Sequence, residues 1–211
     1  MIYENPPATA NIRQGDIFYP LPFGLLQLSK LMTLQKDSIQ EDTWESVMEN
    51  TKTFIGLPIL PTWGIVATQD CDCDRAPLIS FFQILPFTKT TAKPEALPKT
   101  PKAWQSYIVR QSRENAKWFY LPEDENTGFS EKMAVTFYNV FQIQREDLEK
   151  YKSTLRKGRL NDVADEHYRE SISHYFRRYP YDEWYPLNKE EFEEYQKSQP
   201  KVEITPFKYQ K

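Results

Sequence analysis

Glycine is scarce in this chain, with six residues in 211, and cysteine and histidine are scarcer, with two of each. Chain reversals therefore fall to the sixteen prolines, whose fixed φ suits loops and turns and stops helices. Cys71 and Cys73 are too few and too close for a disulfide scaffold. On an extended strand their Cα atoms would lie about 6.7 Å apart, at the upper limit for a bridge, and a reducing cytoplasm is the expected location. No stretch approaches the roughly 18–20 apolar residues that span a bilayer. The opening M-I-Y-E-N-P-P has neither the basic nor the apolar region of a signal peptide, so no membrane partner is expected. Charge of neither sign prevails: 27 Lys and Arg against 30 Asp and Glu give a net −3. Such a balance does not mark a nucleic-acid binder overall and leaves room only for a local basic patch.

Aromatics are what the chain has in quantity. Thirteen Tyr, thirteen Phe and five Trp make 15% of the sequence, and rings of that size can fill a core although only 39% of residues are hydrophobic. The length predicts one large domain, or a domain with an appendage. Residues 1–11 read as an extended arm. Ile12–Phe18 reads as a strand entered through a Gly15-Asp16 turn or bulge and ended by Pro20 and Pro22. Residues 23–53 read as an insertion. Ile65–Thr68 is a short β-branched strand, Asp70–Pro77 a polar turn, and Leu78–Phe87 an almost unbroken apolar strand buried on both faces. Thr100 and Pro101 open a helix that places Trp104, Tyr107 and Ile108 on one side. Lys117–Leu121 and Met133–Ile143 predict two more strands. From Gln144 the spacing turns helical, with Gly158 as a stop, a second helix from Asn161 to about Arg178 ended by Pro180, and a last short helix capped by Asn188 and Glu191. Strands first and helices last predict an α+β fold.

The segment Trp63–Asp74, W-G-I-V-A-T-Q-D-C-D-C-D, carries the densest chemistry. If the strand runs on past Thr68, Asp70, Asp72 and Asp74 lie on one side and the cysteines on the other. Three carboxylates there can bind a hard cation or accept backbone N–H bonds in an acidic turn. A zinc site with His167 and His174 is disfavoured, because seven helical residues separate them by about 10.5 Å, wider than a helical ligand pair. A thiol among carboxylates has its pKa raised, which opposes a nucleophilic role unless Arg75 intervenes. No metal or other cofactor is expected. Farther on, Lys152, Arg156, Lys157, Arg159, Arg169, Arg177 and Arg178 alternate with Tyr151, Tyr168, Tyr175 and Tyr179. That pattern fits phosphate binding with base stacking, or a solvated face ion-paired to Glu149, Asp165, Glu166 and Glu170.

The order G-D-I-F at 15–18, G-I-V-A-T at 64–68 and I-L-P-F-T at 84–88 resembles the MazF/PemK-like toxins. The resemblance implies an SH3-like barrel over residues 1–143, with the insertion at about 23–53, and a C-terminal helical extension over 144–211. It implies sequence-specific, metal-independent endoribonuclease chemistry, in which an Arg and a Thr or Ser at two strand ends activate the ribose 2′-hydroxyl. Thr88 sits at the family's P-x-T threonine. The arginine has no counterpart, since L-P-T-W precedes Gly64, and Arg75 substitutes only if its loop folds back. The corner T-Q-D-C-D also resembles the [ST]-[HQ]-x-C-[DE] corner of a divergent branch of that family, as does the R-L…H-Y-R…F-x-R run from Arg159 to Arg178.

Two readings follow. One is a nucleic-acid- or protein-binding component of a bacterial toxin–antitoxin or phage-defence system, with RNA, DNA, an antitoxin or a defence protein as partner and a homodimer as an expected assembly. Its nucleic-acid contacts would be Arg156, Lys157, Arg159, Arg169, Arg177 and Arg178. The other is an endoribonuclease using Thr88 with Asp70, Cys71, Asp72 and Arg75. The missing arginine favours the first.

Overall fold

A computed structural model describes residues 2–35, 38–49, 54–114, 117–177 and 189–198. Its strands are β1 (Tyr3–Glu4), β2 (Asp16–Phe23), β3 (Leu31–Gln35), β4 (Ser38–Asp42), β5 (Phe54–Gly56), β6 (Leu60–Val66), β7 (Leu78–Pro86), β8 (Trp118–Leu121), β9 (Met133–Gln144) and β10 (Arg156–Leu160). The helices are α1 (Trp44–Met48), α2 (Asp70–Cys73), α3 (Pro101–Glu114), α4 (Arg145–Leu155), α5 (Asp162–Phe176) and α6 (Lys189–Ser198). The protein is α+β, and every strand pairing is antiparallel. One compact unit covers Met1–Ile172 and a second Ser173–Lys211, with α5 running from one into the other. No described helix is long and apolar enough to cross a membrane.

The main sheet has the order β1-β10-β2-β6-β7-β9-β8. It is hydrogen-bonded as an open sheet, yet its two ends approach: Tyr3 on β1 donates its hydroxyl to Pro122 O, just past β8, at 2.8 Å. The Tyr3 ring meets Phe129 edge-on. Strand β7 lies inside the sheet between β6 and β9, and its unbroken apolar run has the reason the sequence suggested. Phe81 faces a core of Ile12, Phe18, Leu21, Val66, Ile79 and Leu148 of α4, whereas Phe82 meets Phe137, which lies near Tyr168 of α5. Both faces are covered, so alternation disappears. Beyond β7, Phe87 anchors a second core in which Trp104, Tyr107 and Ile108 of α3 close over Trp118 and Ala134.

Several expectations change. Pro20 and Pro22 do not end the first strand; β2 runs on to Phe23, with a register shift against β6 between Phe18 and Leu21 that takes in Pro20, while Pro22 stands opposite Pro61 in the ladder. The strand expected at Ile65–Thr68 is β6, Leu60–Val66. The turn after it contains the one-turn helix α2, so Asp70, Asp72 and Asp74 do not alternate with the cysteines as on a strand. Gly158 stops no helix. It lies in β10, where the ladder to β2 draws residues past 143 into the sheet. Asn161 does open a helix, its Oδ1 accepting from Ala164 N–H at 2.9 Å. Arg178, Pro180 and Asn188 lie outside the described residues.

The insertion is an extension of β2 and β6, whose last pair is Phe23 with Leu60. It forms its own three-stranded sheet, β4-β3-β5. Gly24 lies at the neck, where an added Cβ would stand 2.5 Å from Leu57 Cδ2.

Candidate functional site

The T-Q-D-C-D corner and the H-Y-R run, far apart in sequence, meet at the Gly15-Asp16 turn. Gly15 has φ +81°, and an added Cβ would lie 2.7 Å from Asp165 Oδ1. A left-handed residue without a side chain is what lets α5 bring its carboxylate in here. Asp70 Oδ1 accepts the Gln14 N–H at 2.8 Å. Its Oδ2 accepts from Arg169 Nη2 at 2.5 Å, with Arg13 Nη2 at 3.6 Å. Arg169 Nη2 also reaches Asp165 Oδ2 at 2.7 Å, the i,i+4 spacing along α5. Gln14 Nε2 donates to Ala67 O at 2.9 Å. The result is a square of two carboxylates and two guanidiniums in which Arg13, Asp70 and Arg169 are partly exposed and Asp165 is buried.

Asp165 Oδ1 and Arg169 Nε are buried, and among the described residues neither finds a hydrogen-bond partner. Burial pushes the Asp165 carboxyl up to about 6; Arg169 and Arg13 oppose the shift and Asp70 adds to it. The fold thus favours the neutral acid. That contribution to stability is full below the unfolded value near 4 and is lost as pH rises through about 6. Asp165→Asn is therefore expected to be more stable than wild type at pH 7.5, by on the order of 2 kcal/mol. The difference between the two urea-denaturation curves should vanish toward pH 4. A variant that is less stable than wild type at pH 7.5 contradicts this assignment.

Directly beneath lies a second ionic knot. Asp16 is fully buried and accepts from Arg159 Nε, from Arg159 Nη2 at 3.0 Å, from Arg156 Nη1 at 3.0 Å and from the Arg13 N–H at 3.1 Å. The remaining Arg156 donors bind carbonyls of the N-terminal arm at Pro7, Ala8, Ala10 and Asn11. Arg159 Nη2 adds Asn11 O at 2.7 Å. Arg156 and Arg159 are therefore engaged within the protein, with nothing to present to a phosphate. Lys157 is half-buried with Nζ on Thr154 O at 3.1 Å. Arg177 is exposed in the C-terminal unit. Of the five of these basic residues that are described, Arg169 alone belongs to the corner; Arg178 lies outside the described residues.

The other expected site residues separate. Arg75 pairs with Asp72 at 2.8 Å on the surface of α2 and does not fold back along the sheet. Cys71 is exposed, and Cys73 is buried. Burial, followed by Asp70, Asp16, Asp74 and Asp72, pushes the Cys73 thiol up to about 12, and its S–H donates to Thr68 O at 3.4 Å. It packs and does not attack. Thr88 is exposed in the 3₁₀ turn Phe87–Thr90, at the far end of β7 from α2. Nine strand residues, Leu78–Pro86, put about 30 Å between those ends. Thr88 and the acidic corner therefore cannot act on one bond. Among the described residues no group of three or more His, Cys, Asp or Glu is placed to hold a metal ion.

Arg13 and Gln14 carry no signal in the sequence, and Asp165 reads there only as an acid of an ion-paired helix face, at the i,i+4 spacing from Arg169. A different surface also stands out. Of the large apolar side chains left exposed, Leu25, Leu26, Leu28, Leu34, Ile39, Met48, Ile59 and Leu60 all belong to the insertion or its neck. No protein-family model matches the sequence, and no match is found among the curated proteins.

Proposed function

We propose that this chain is a protein-binding component of a toxin–antitoxin or phage-defence assembly in the bacterial cytoplasm. Its main sheet would be a MazF/PemK-like, SH3-type barrel that has lost RNA cleavage. The observation that carries the reading is the crowding of exposed apolar side chains on the insertion, with Ile39 69% and Leu60 68% exposed. A chain that leaves such a patch in water pays for it unless a partner covers it, and large patches of this kind mark protein interfaces. Support also comes from the missing family arginine, the distance between Thr88 and the corner, and the burial of Arg156 and Arg159.

One observation favours a second reading, an endoribonuclease working at the corner itself. A carboxyl that titrates at about 6 beside Arg169 and Arg13 has the proton affinity of a general acid or base at neutral pH, with guanidiniums at hand for phosphate charge. Against it, both guanidiniums are already held by Asp70.

Incubation with mixed RNA, with and without Mg²⁺, separates the two. Wild type, Thr88→Ala and Asp165→Asn are expected to be alike and inert. Cleavage lost in Asp165→Asn would establish the enzyme at the corner, and cleavage lost in Thr88→Ala would restore the family's own chemistry.

A further inference from the structure

Resting on the binding reading, we infer that the partner is a protein segment of alternating apolar and basic residues, which adds as a strand to β4 and lays an apolar side chain against Ile39. Strand β4 is an edge of the small sheet, and among the described residues its ladder is to β3. The β3–β4 ladder runs without a register shift from Leu31–Asp42 to Gln35–Ser38. Edges are ordinarily protected by proline, a bulge or charge; S-I-Q-E-D has no proline and no bulge, and its charges are the carboxylates of Glu41 and Asp42, which a basic strand would neutralise. An open, regular edge is the template for strand addition.

The side-chain chemistry fixes what such a strand must carry. Leu34 and Ile39 stand opposite one another across the ladder, both exposed. From Ser38 to Glu49 the chain carries the carboxylates Glu41, Asp42, Glu45 and Glu49 and no Lys or Arg. Among the described residues, the ion pair on this border is Lys30 with Glu41, at 3.2 Å. A nucleic-acid strand would be repelled by this border. A second copy docked through the same face would set these carboxylates against their own equivalents. Lysine or arginine at alternate positions satisfies it.

The probes are a fluorescent peptide of alternating lysine and leucine or valine, its glutamate counterpart, and an isomer with the lysines and apolar residues in separate blocks, each titrated by anisotropy. The alternating basic peptide is expected to bind at least about tenfold more tightly than either control, and more weakly as salt rises. Ile39→Asp makes the face more acidic, so mere charge attraction would strengthen binding; a loss of about tenfold or more is expected instead, because the new carboxylate would be covered by the peptide. Glu45→Lys with Glu49→Lys should weaken binding several-fold and flatten its salt dependence. Equal binding of the block isomer, tighter binding by Ile39→Asp, or a wild-type dimer that Ile39→Asp dissociates would each overturn the inference. A protein that cleaves RNA fails the binding reading. One that is inert on RNA and ignores the alternating peptide fails this inference alone.

Discussion

Asp16→Ala is expected to destabilise the protein by about 3–5 kcal/mol, because it leaves two buried guanidiniums without their carboxylate. Asp16 has no exposed surface, and the Arg156 and Arg159 side chains that meet it are 4% and 8% exposed. In that setting the attraction within the trio offsets the cost of desolvating three charges, and removing one member keeps the cost without the compensation. Asp16→Asn should lose nearly as much, since the amide keeps the shape but not the charge. The damage should spread to the N-terminal arm, whose carbonyls from Pro7 to Asn11 are held by the same arginines. A lower urea midpoint should therefore come with faster proteolysis within residues 5–11. Asp72→Ala provides the comparison. Its partner Arg75 is largely in water, and an exposed pair contributes at most about 1 kcal/mol. If Asp16→Ala and Asp72→Ala shift the midpoint equally, the knot beneath the corner is not holding the fold.

The second large effect belongs to the apolar core. Phe81 is fully buried, stacked on Phe141 with ring centroids 5.4 Å apart and edge-on to Phe18 at 5.7 Å. The surrounding contacts tie β2, β6, β7, β9 and α4 together. Gly64 sits against it, where an added Cβ would lie 3.1 Å from Phe81 Cδ1. Such close packing on both sides of the ring leaves little freedom for collapse. Phe81→Ala should then cost about 3–5 kcal/mol, the transfer of the ring plus the cavity it leaves. Ile39→Ala, at an exposed position of similar hydrophobicity, should change the urea midpoint by no more than about 0.5 kcal/mol in free energy. That near-neutral result is itself informative, because it shows that the apolar side chains of the insertion do not serve the fold.

What the sequence made legible depended on whether a segment's own pattern decided its structure. Leu78–Phe87 is apolar without alternation because helices lie over both faces of β7, and such runs are read directly. The Trp104-Tyr107-Ile108 stripe and the Asn161 cap were equally local. Strand β10 was hidden because R-K-G-R-L has no β-former on either face; its arginines are drawn into the sheet by Asp16, about 140 positions earlier in the chain. Tertiary pairing overrides propensity there. For the same reason a basic run that reads as a phosphate-binding face turned out to contain two structural arginines. The corner was seen in outline, since Gly15, Asp70 and Arg169 all lay within motifs that drew notice. Asp165 reads in the sequence only as an acid of a solvated helix face, because its raised pKa comes from burial against a glycine, which no spacing along one helix reveals. Thr88 carried the opposite lesson: a motif can match in order and still lie a strand's length from its intended companions.

Amide hydrogen exchange with and without a saturating alternating basic peptide, and in parallel with single-stranded RNA, locates the surface that takes the partner. Slowed exchange from Leu31 to Asp42 is expected with the peptide, and no change with RNA. Protection centred instead on Arg13 to Asp74 around the corner, or RNA-induced protection anywhere in the Met1–Ile172 unit, would contradict it.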